Sequence, residues 1–381
     1  MAASLQNLIP PDTPVRLAAQ LKAAWPRFPS ETFVEDAGAG FAPLGLMARG
    51  QHLAGALHRH LPADYRRGVR ILVDSMGPAQ GLDARGEPVA VPGGPGGFFY
   101  LPHSMYIAAH GLGHLQESLQ AQHALTQRFT AEFSLRPFLI HHPAATLHAL
   151  AGWATDPSAH VRRAVSEGTR PRLPWAQRLP ALVADPRPVL PLLERLRDDP
   201  SSYVRRSVAN HLNDIGKDHP ALLVELAGRW LDGAPSERAK LVRHALRTAL
   251  KRGDADALGL LGHGHAVRLE LRAVSLAPPS PAIGEAIAIG FELHNPGRRP
   301  AVVLADLRVH YVKRHGGTTA KVFKLRSLVL PPGGSERLHK RLSLAQMTTR
   351  VHHAGRHGVE VLLNGRPHAL GHFDLLAAAA A

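Results

Sequence analysis

The hydrophobic pattern changes period once along this chain. Up to about residue 252, apolar side chains recur every three or four positions; beyond about residue 262 they alternate. In the first region, Pro14 to Leu21 and the series Leu44, Leu46, Leu53, Leu57 and Leu61 place apolar residues along one helical face. Residues 87 to 98 interrupt this pattern with Pro92-Gly93-Gly94-Pro95-Gly96-Gly97, which reads as a loop. Helical patterning resumes near Phe99. In the second region Val267, Leu269 and Leu271 alternate with Arg268, Glu270 and Arg272. Ile287, Ile289, Phe291 and Leu293 alternate likewise, as do Leu307, Val309 and Tyr311, and Val359, Val361 and Leu363. Turns follow at Asn295-Pro296-Gly297, Pro331-Pro332-Gly333-Gly334 and Asn364-Gly365. Five or more short strands over about 110 residues predict an immunoglobulin-like β-sandwich.

Within the helical region a ten-residue stretch is nearly duplicated. Asp156-Pro157-Ser158-Ala159-His160-Val161-Arg162-Arg163-Ala164-Val165 returns 43 residues later as Asp199-Pro200-Ser201-Ser202-Tyr203-Val204-Arg205-Arg206-Ser207-Val208. A period of 40 to 47 residues with a helix-starting Asp-Pro and an internal Val-Arg marks HEAT-type helical repeats. Each aspartate is expected to cap a helix, with proline at its first position. Val161 with Val165, and Val204 with Val208, form the buried stripe. A weaker third unit runs from Pro235 through Leu246. The expected fold is therefore mainly α: a HEAT-like solenoid over residues 1–260, then a β-sandwich over residues 263–376.

Charge narrows the function. The chain carries 45 Lys and Arg against 30 Asp and Glu, a net charge of +15, which favours a polyanionic partner. Without cysteine, disulfides and thiolate metal sites are excluded. No apolar run reaches the roughly 20 residues of a membrane span, and residues 1–14 lack the pattern of a signal peptide, so a cytoplasmic location is expected.

Chemistry concentrates after the first copy, in Ser166-Glu167-Gly168-Thr169-Arg170-Pro171-Arg172-Leu173-Pro174-Trp175. Gly168 and Pro171 stop the helix, so Arg170 and Arg172 are expected to emerge from a loop, where arginine suits phosphate. Trp175 adds an aromatic face beside them. Arg162 and Arg205, the first arginine of each pair, fit pairing with the Asp of the next repeat instead. Glu132, after Thr130, fits either a helix-start residue or a functional carboxylate. Asp214 falls late in a helix, where the macrodipole disfavours an acid, which suggests a specific partner or task. Among histidines, His110 and His114 have the i, i+4 spacing of a zinc helix but lack its glutamate, and Gly111 and Gly113 weaken a helix there. His141-His142, His263 with His265, and His352-His353 are weaker still. No metal site or cofactor is expected.

The runs Phe129 to Phe138, His160 to Trp175 and Tyr203 to Asp218 together resemble the AlkC subfamily of alkylpurine DNA glycosylases, HEAT-like repeat proteins related to AlkD. The resemblance covers residues 1 to about 255. Some members also carry a C-terminal immunoglobulin-like domain. The resemblance implies base excision repair: hydrolytic release of cationic N-alkylated bases, 3-methyladenine and also 3-methylcytosine, from duplex DNA by a monomer, without base flipping. It implies catalytic roles for Glu132, Asp214 and Trp175, and DNA or lesion contacts by Arg163, Glu167, Arg170, Arg172 and Arg206. The competing expectation is a non-catalytic HEAT scaffold binding nucleic acid or protein, with Glu132 and Asp214 in structural ion pairs only.

Overall fold

A computed structural model describes residues 5–84, 87–89, 91, 97–263, 268–347 and 350–377. Helices come first: α1 Thr13–Ala24, α2 Ser30–Gly38, α3 Leu46–His60, α4 Tyr65–Asp74, α5 Leu101–His110, α6 Leu115–Thr126, α7 Leu135–His141 and α8 Pro143–Trp153. They continue as α9 Ala159–Gly168, α10 Pro180–Ala184, α11 Leu190–Leu196, α12 Ser202–Asp218, α13 Pro220–Leu231, α14 Ser236–Ala245, α15 Arg247–Arg252 and α16 Ala255–Leu260. Between α4 and α5, the two-residue strands β1 (Gly81–Leu82) and β2 (Pro88–Val89) pair antiparallel, and residues 97–100 form a 3₁₀ turn. The loop expected at 87–98 is thus partly ordered structure; residues 90 and 92–96 lie outside the described residues, as do Val267 and His265.

The chain divides into two compact units, Met1–His219 with Trp230–Ala245, and Pro220–Arg229 with Leu246–Ala381. In the first, α12 packs on both α9 and α14, the stacking of consecutive repeats. Val161, Val165, Val204, Val208 and Val242 have no exposed surface, as the apolar stripe requires. The aspartates of the duplicated motif do not cap their helices directly. Asp156 Oδ1 accepts from the Ser158 amide at 2.7 Å, and Asp199 Oδ1 from the Ser201 amide at 2.8 Å. Each Asp-Pro-Ser is therefore an Asx turn. Proline biases the residue before it away from helix, so α9 and α12 begin beyond it.

Among the described residues, the second unit holds a seven-stranded sandwich. One sheet has the order β3-β4-β7 (Glu270–Ala277, Ala286–His294, Ser335–Ser343). The other has β6-β5-β8-β9 (Thr318–Leu330, Ala301–Val312, Gly355–Leu363, Arg366–Leu375). Alternating Ile287, Ile289, Phe291 and Leu293 share a core with Val303, Leu307, Val309, Val359 and Val361, as period two demands. Helices α15 and α16 group with these strands. Their joining Gly253, at φ +77, would place a Cβ 2.7 Å from the Gly365 carbonyl, so only glycine allows that approach.

Candidate active site

Two short segments converge where α9 ends. A Cβ on Gly168 would lie 2.6 Å from Leu135 Cδ1, so this glycine lets the end of α9 press against the start of α7. The turn just before α7 carries Glu132. Thr130 Oγ1 accepts from the Glu132 amide at 3.2 Å and donates to Glu132 Oε2 at 2.9 Å. The same carboxylate oxygen meets Arg163 Nη1 at 2.9 Å. No partner of Glu132 Oε1 is found among the described residues, and the side chain borders a cleft.

Arg163 lies between two acids, 3.7 Å from Glu167 on its other side. Burial would push its guanidinium down, but the two carboxylates outweigh that and hold it above its ordinary value. Glu167 is buried, which would raise its carboxyl; Arg163 and Arg170 outweigh this and hold it low. Arg170 Nη1 donates to Glu167 Oε1 at 2.5 Å and its Nε to Asp214 Oδ2 at 2.8 Å. Asp214 Oδ1 accepts from Lys217 Nζ at 2.6 Å. Five charged groups thus alternate in sign from Glu132 through Arg163, Glu167 and Arg170 to Asp214, a buried array in which each charge faces its opposite.

Helix α12 forms the back wall. At helical spacing, Tyr203, Ser207, His211, Asp214 and Asp218 each meet a partner on α9 or the loop after it. Tyr203 lies under the Arg163 guanidinium, 5.2 Å from ring centroid to carbon. Ser207 donates to Glu167 at 2.6 Å, and the His211 ring nitrogen Nδ1 donates to the Ser166 carbonyl at 2.9 Å. Asp218 accepts two bonds from Arg172, both 2.6 Å. Burial holds His211 down to about 4, so it is neutral.

The cleft of about 380 Å³ is lined by Glu132, Arg163, Glu167 and Arg170 together with Phe98, Phe129, Leu173 and Trp175. Trp175 is 63% exposed at its rim and has φ +64. A bulky residue in the left-handed region costs about 1–3 kcal/mol and persists only where the surroundings enforce it. Arg136 does so. Fully buried, it donates to the carbonyls of Gly168 (3.3 Å), Arg170 (3.0 Å) and Gln177, pinning the loop on both sides of the tryptophan.

The site residues fall into three groups. Glu132, Arg163, Glu167, Arg170 and Trp175 share the cleft. Asp214 has no exposed surface and reaches the cleft only through Arg170. Arg172 and Arg206 do not line it. Arg206 makes a bidentate pair with Glu87 at 2.5 and 2.7 Å and borders a smaller cleft between α12 and α14, with Arg205, Lys240 and His244. Arg170 and Arg172 emerge from the loop after α9, as expected, and meet carboxylates of α12: Asp214 for the buried Arg170 and Asp218, one turn on, for the half-exposed Arg172. Arg162 pairs with Asp199 at 2.6 Å, the inter-repeat aspartate expected of it, whereas the partner of Arg205 is a glutamate, Glu237, at 2.9 Å. Missing from the sequence reading were Arg136, Tyr203 and Ser207. All three lie inside the runs Phe129 to Phe138 and Tyr203 to Asp218, at helical positions indistinguishable from packing residues.

The histidine pair is split by the helix break it suggested. His110 ends α5 and stacks on His58 at 3.8 Å, while His114 precedes α6 and stacks on Tyr65 at 5.0 Å. Among the described residues, no group of three or more His, Asp or Glu could hold a metal ion, and no helix is long and apolar enough to cross a membrane.

Comparison with known proteins extends over nearly the whole chain. Residues 270–377 match the model of the family described as "Uncharacterised protein YhaZ, C-terminal Ig-like domain". The uncharacterized protein YhaZ of Bacillus subtilis is 34% identical over 351 residues, 92% of this chain and 93% of that protein. Among solved structures, the alkylpurine DNA glycosylase AlkC of Pseudomonas fluorescens, bound to DNA containing an abasic site analog, superposes with a TM-score of 0.89. It is 35% identical, covering 98% of this chain and 99% of that one.

Proposed function

The chain belongs to the AlkC family, and from that premise we propose that it is a DNA glycosylase of base excision repair. We assign the glycosylase domain to residues 1–260 and the immunoglobulin-like domain to residues 263–376. The substrate is duplex DNA carrying a cationic N-alkylated base, 3-methyladenine or 3-methylcytosine. A monomer in the bacterial cytoplasm suffices, and neither metal nor cofactor enters the reaction.

The observation that carries this reading is a cleft that Glu132, whose Oε2 alone is engaged by Arg163 and Thr130, lines together with an exposed tryptophan at positive φ. A cationic base is a good leaving group. The electron pair of the C1′–N bond departs with it and neutralises its charge, so no strong general acid is required. Positive charge then develops on the sugar, where Glu132 Oε1 stabilises it and accepts the proton of the water that adds to C1′. The indole of Trp175 presents a π face to the same charge, worth about 0.5–2 kcal/mol. Asp214 completes the carboxylate set from behind Arg170. Because Trp175 stands at the rim of a cleft rather than inside an enclosed pocket, the lesion is met without full extrusion of the nucleotide.

Arg163 and Arg170 are occupied by carboxylates, so we assign them to fixing those acids beside DNA. Arg172 and Arg206, in more exposed pairs, are better placed to exchange a carboxylate for a phosphate. The test is release of free base from duplex oligonucleotides bearing one defined cationic lesion. Wild-type protein should release it with or without a chelator, and Glu132→Gln should be slower by about 10²–10³-fold. A folded Glu132→Gln protein that keeps the wild-type rate would leave only a non-catalytic scaffold.

A further inference from the structure

Arg163 is the cation that meets Glu132, and something must hold its flat face. Glu132 and Glu167 contact the guanidinium at its edge, as carboxylates do. Its central carbon lies over the ring of Tyr203, with the centroid 5.2 Å from Cζ. The same ring lies 5.9 Å from the Arg206 guanidinium, and His160 meets it nearly edge-on at 5.8 Å. Tyr203 and Arg206 occupy the positions in the second copy that His160 and Arg163 occupy in the first. The result is a short stack in which one repeat's ring holds the other repeat's arginine.

We propose that Tyr203 is a positioning residue for the glycosylase reaction, acting on Glu132 through Arg163. This rests on the function proposed above. The ring attracts the cation through its quadrupole and excludes water from its face. Without it, the guanidinium can rotate out of the plane that meets Glu132 Oε2, and the carboxylate loses its fixed direction into the cleft. The phenol oxygen takes no part in this, so phenylalanine can replace tyrosine.

Two measurements on the full chain decide the matter. The first is arginine-selective NMR. In wild type and Tyr203→Phe, the Arg163 guanidinium should give separate Nη signals from hindered rotation about Nε–Cζ; in Tyr203→Leu these should merge. Separate signals retained in Tyr203→Leu would overturn the proposal whatever the enzyme does. The second is single-turnover excision on a defined-lesion duplex. The rate should fall about tenfold in Tyr203→Leu and recover in Tyr203→Phe, with DNA affinity within about twofold throughout. A wild-type rate in Tyr203→Leu, or equal losses in both variants, would also overturn it. Should Tyr203→Leu fail to fold, Tyr203→Met carries the same expectations. A wild-type protein that releases no base from any alkylated duplex would remove the glycosylase reading, while the NMR result would still decide whether Tyr203 positions Arg163.

Discussion

The two copies of Asp-Pro-Ser-x-x-Val-Arg-Arg-x-Val share one scaffold and diverge in what surrounds the second arginine. In both, the first arginine bonds back to the carbonyls of its own Asp-Pro: Arg162 at 2.8 and 3.0 Å, Arg205 at 2.5 and 2.9 Å. Each then reaches forward to an acid of the next repeat. The second arginines differ. Arg163 is drawn between Glu132 and Glu167, with a side chain 17% exposed; Arg206 meets Glu87 at the surface, 48% exposed. The segments after the copies differ as well: a loop bearing Trp175 succeeds the first, and an uninterrupted helix to Asp218 succeeds the second. Repetition builds the frame, and the acids available next to each copy decide whether its second arginine is enclosed or displayed.

The largest expected effect tests enclosure. Asp214→Asn removes a carboxylate from Arg170 and Lys217 and leaves charge underpaired in a buried setting, which costs about 3–5 kcal/mol. Urea denaturation followed by circular dichroism measures it; a loss no larger than that of a surface variant would show that the array is not enclosed. Next come the first arginines. Arg162→Ala strips a partner from Asp199, whose side chain is 3% exposed, and should cost roughly 1–3 kcal/mol. Arg205→Ala strips one from Glu237, 48% exposed, and should cost under about 1 kcal/mol. Equal costs in the same denaturation assay would mean that the copies are energetically alike after all.

A smaller effect concerns pH. His211, behind Glu167, is held by burial at about 4 against its ordinary 6.5. The unfolded chain therefore binds a proton that the folded one refuses. The stability this histidine contributes is complete above pH 6.5 and is lost as pH falls towards 4. His211→Asn, which can keep the bond to the Ser166 carbonyl, should flatten the fall of Tm between about pH 6.5 and 5. An unchanged slope would place the titration elsewhere. The smallest effect on stability belongs to the displayed arginine: Arg206→Ala should cost under about 1 kcal/mol and lower the salt dependence of DNA binding by about one phosphate. Fluorescence titrations at several salt concentrations read this directly, and an unchanged slope would leave Arg206 bound to Glu87 alone.

Much of the fold was legible because burial imposes periods. Val161 and Val165, Val204 and Val208, and the alternation from Ile287 to Leu293 all lie in the cores that their spacing required. Where a short polar side chain competes with the helix, the expected helix starts are displaced by a few residues: Asp156 and Asp199 close turns ahead of α9 and α12. In the candidate site, residue types were legible but directions were not. Arg170 and Arg172 sit in a loop as expected, but the acids that engage them, Asp214 and Asp218, lie 44 and 46 residues further on.

By itself the sequence determined the two periods, the duplicated frame and the residues in which acids, arginines and a tryptophan gather. These are local or repeated signals, readable wherever burial or a turn constrains neighbours along the chain. Only the tertiary structure decided which acids border the cleft. Glu132 and Glu167 line it while Asp214 is covered, Trp175 stands at its rim with a positive φ, and the Arg163 guanidinium lies over the ring of Tyr203. Each depends on contacts between segments some 40 residues apart, and the strength of a charge in water or out of it is set by what encloses it.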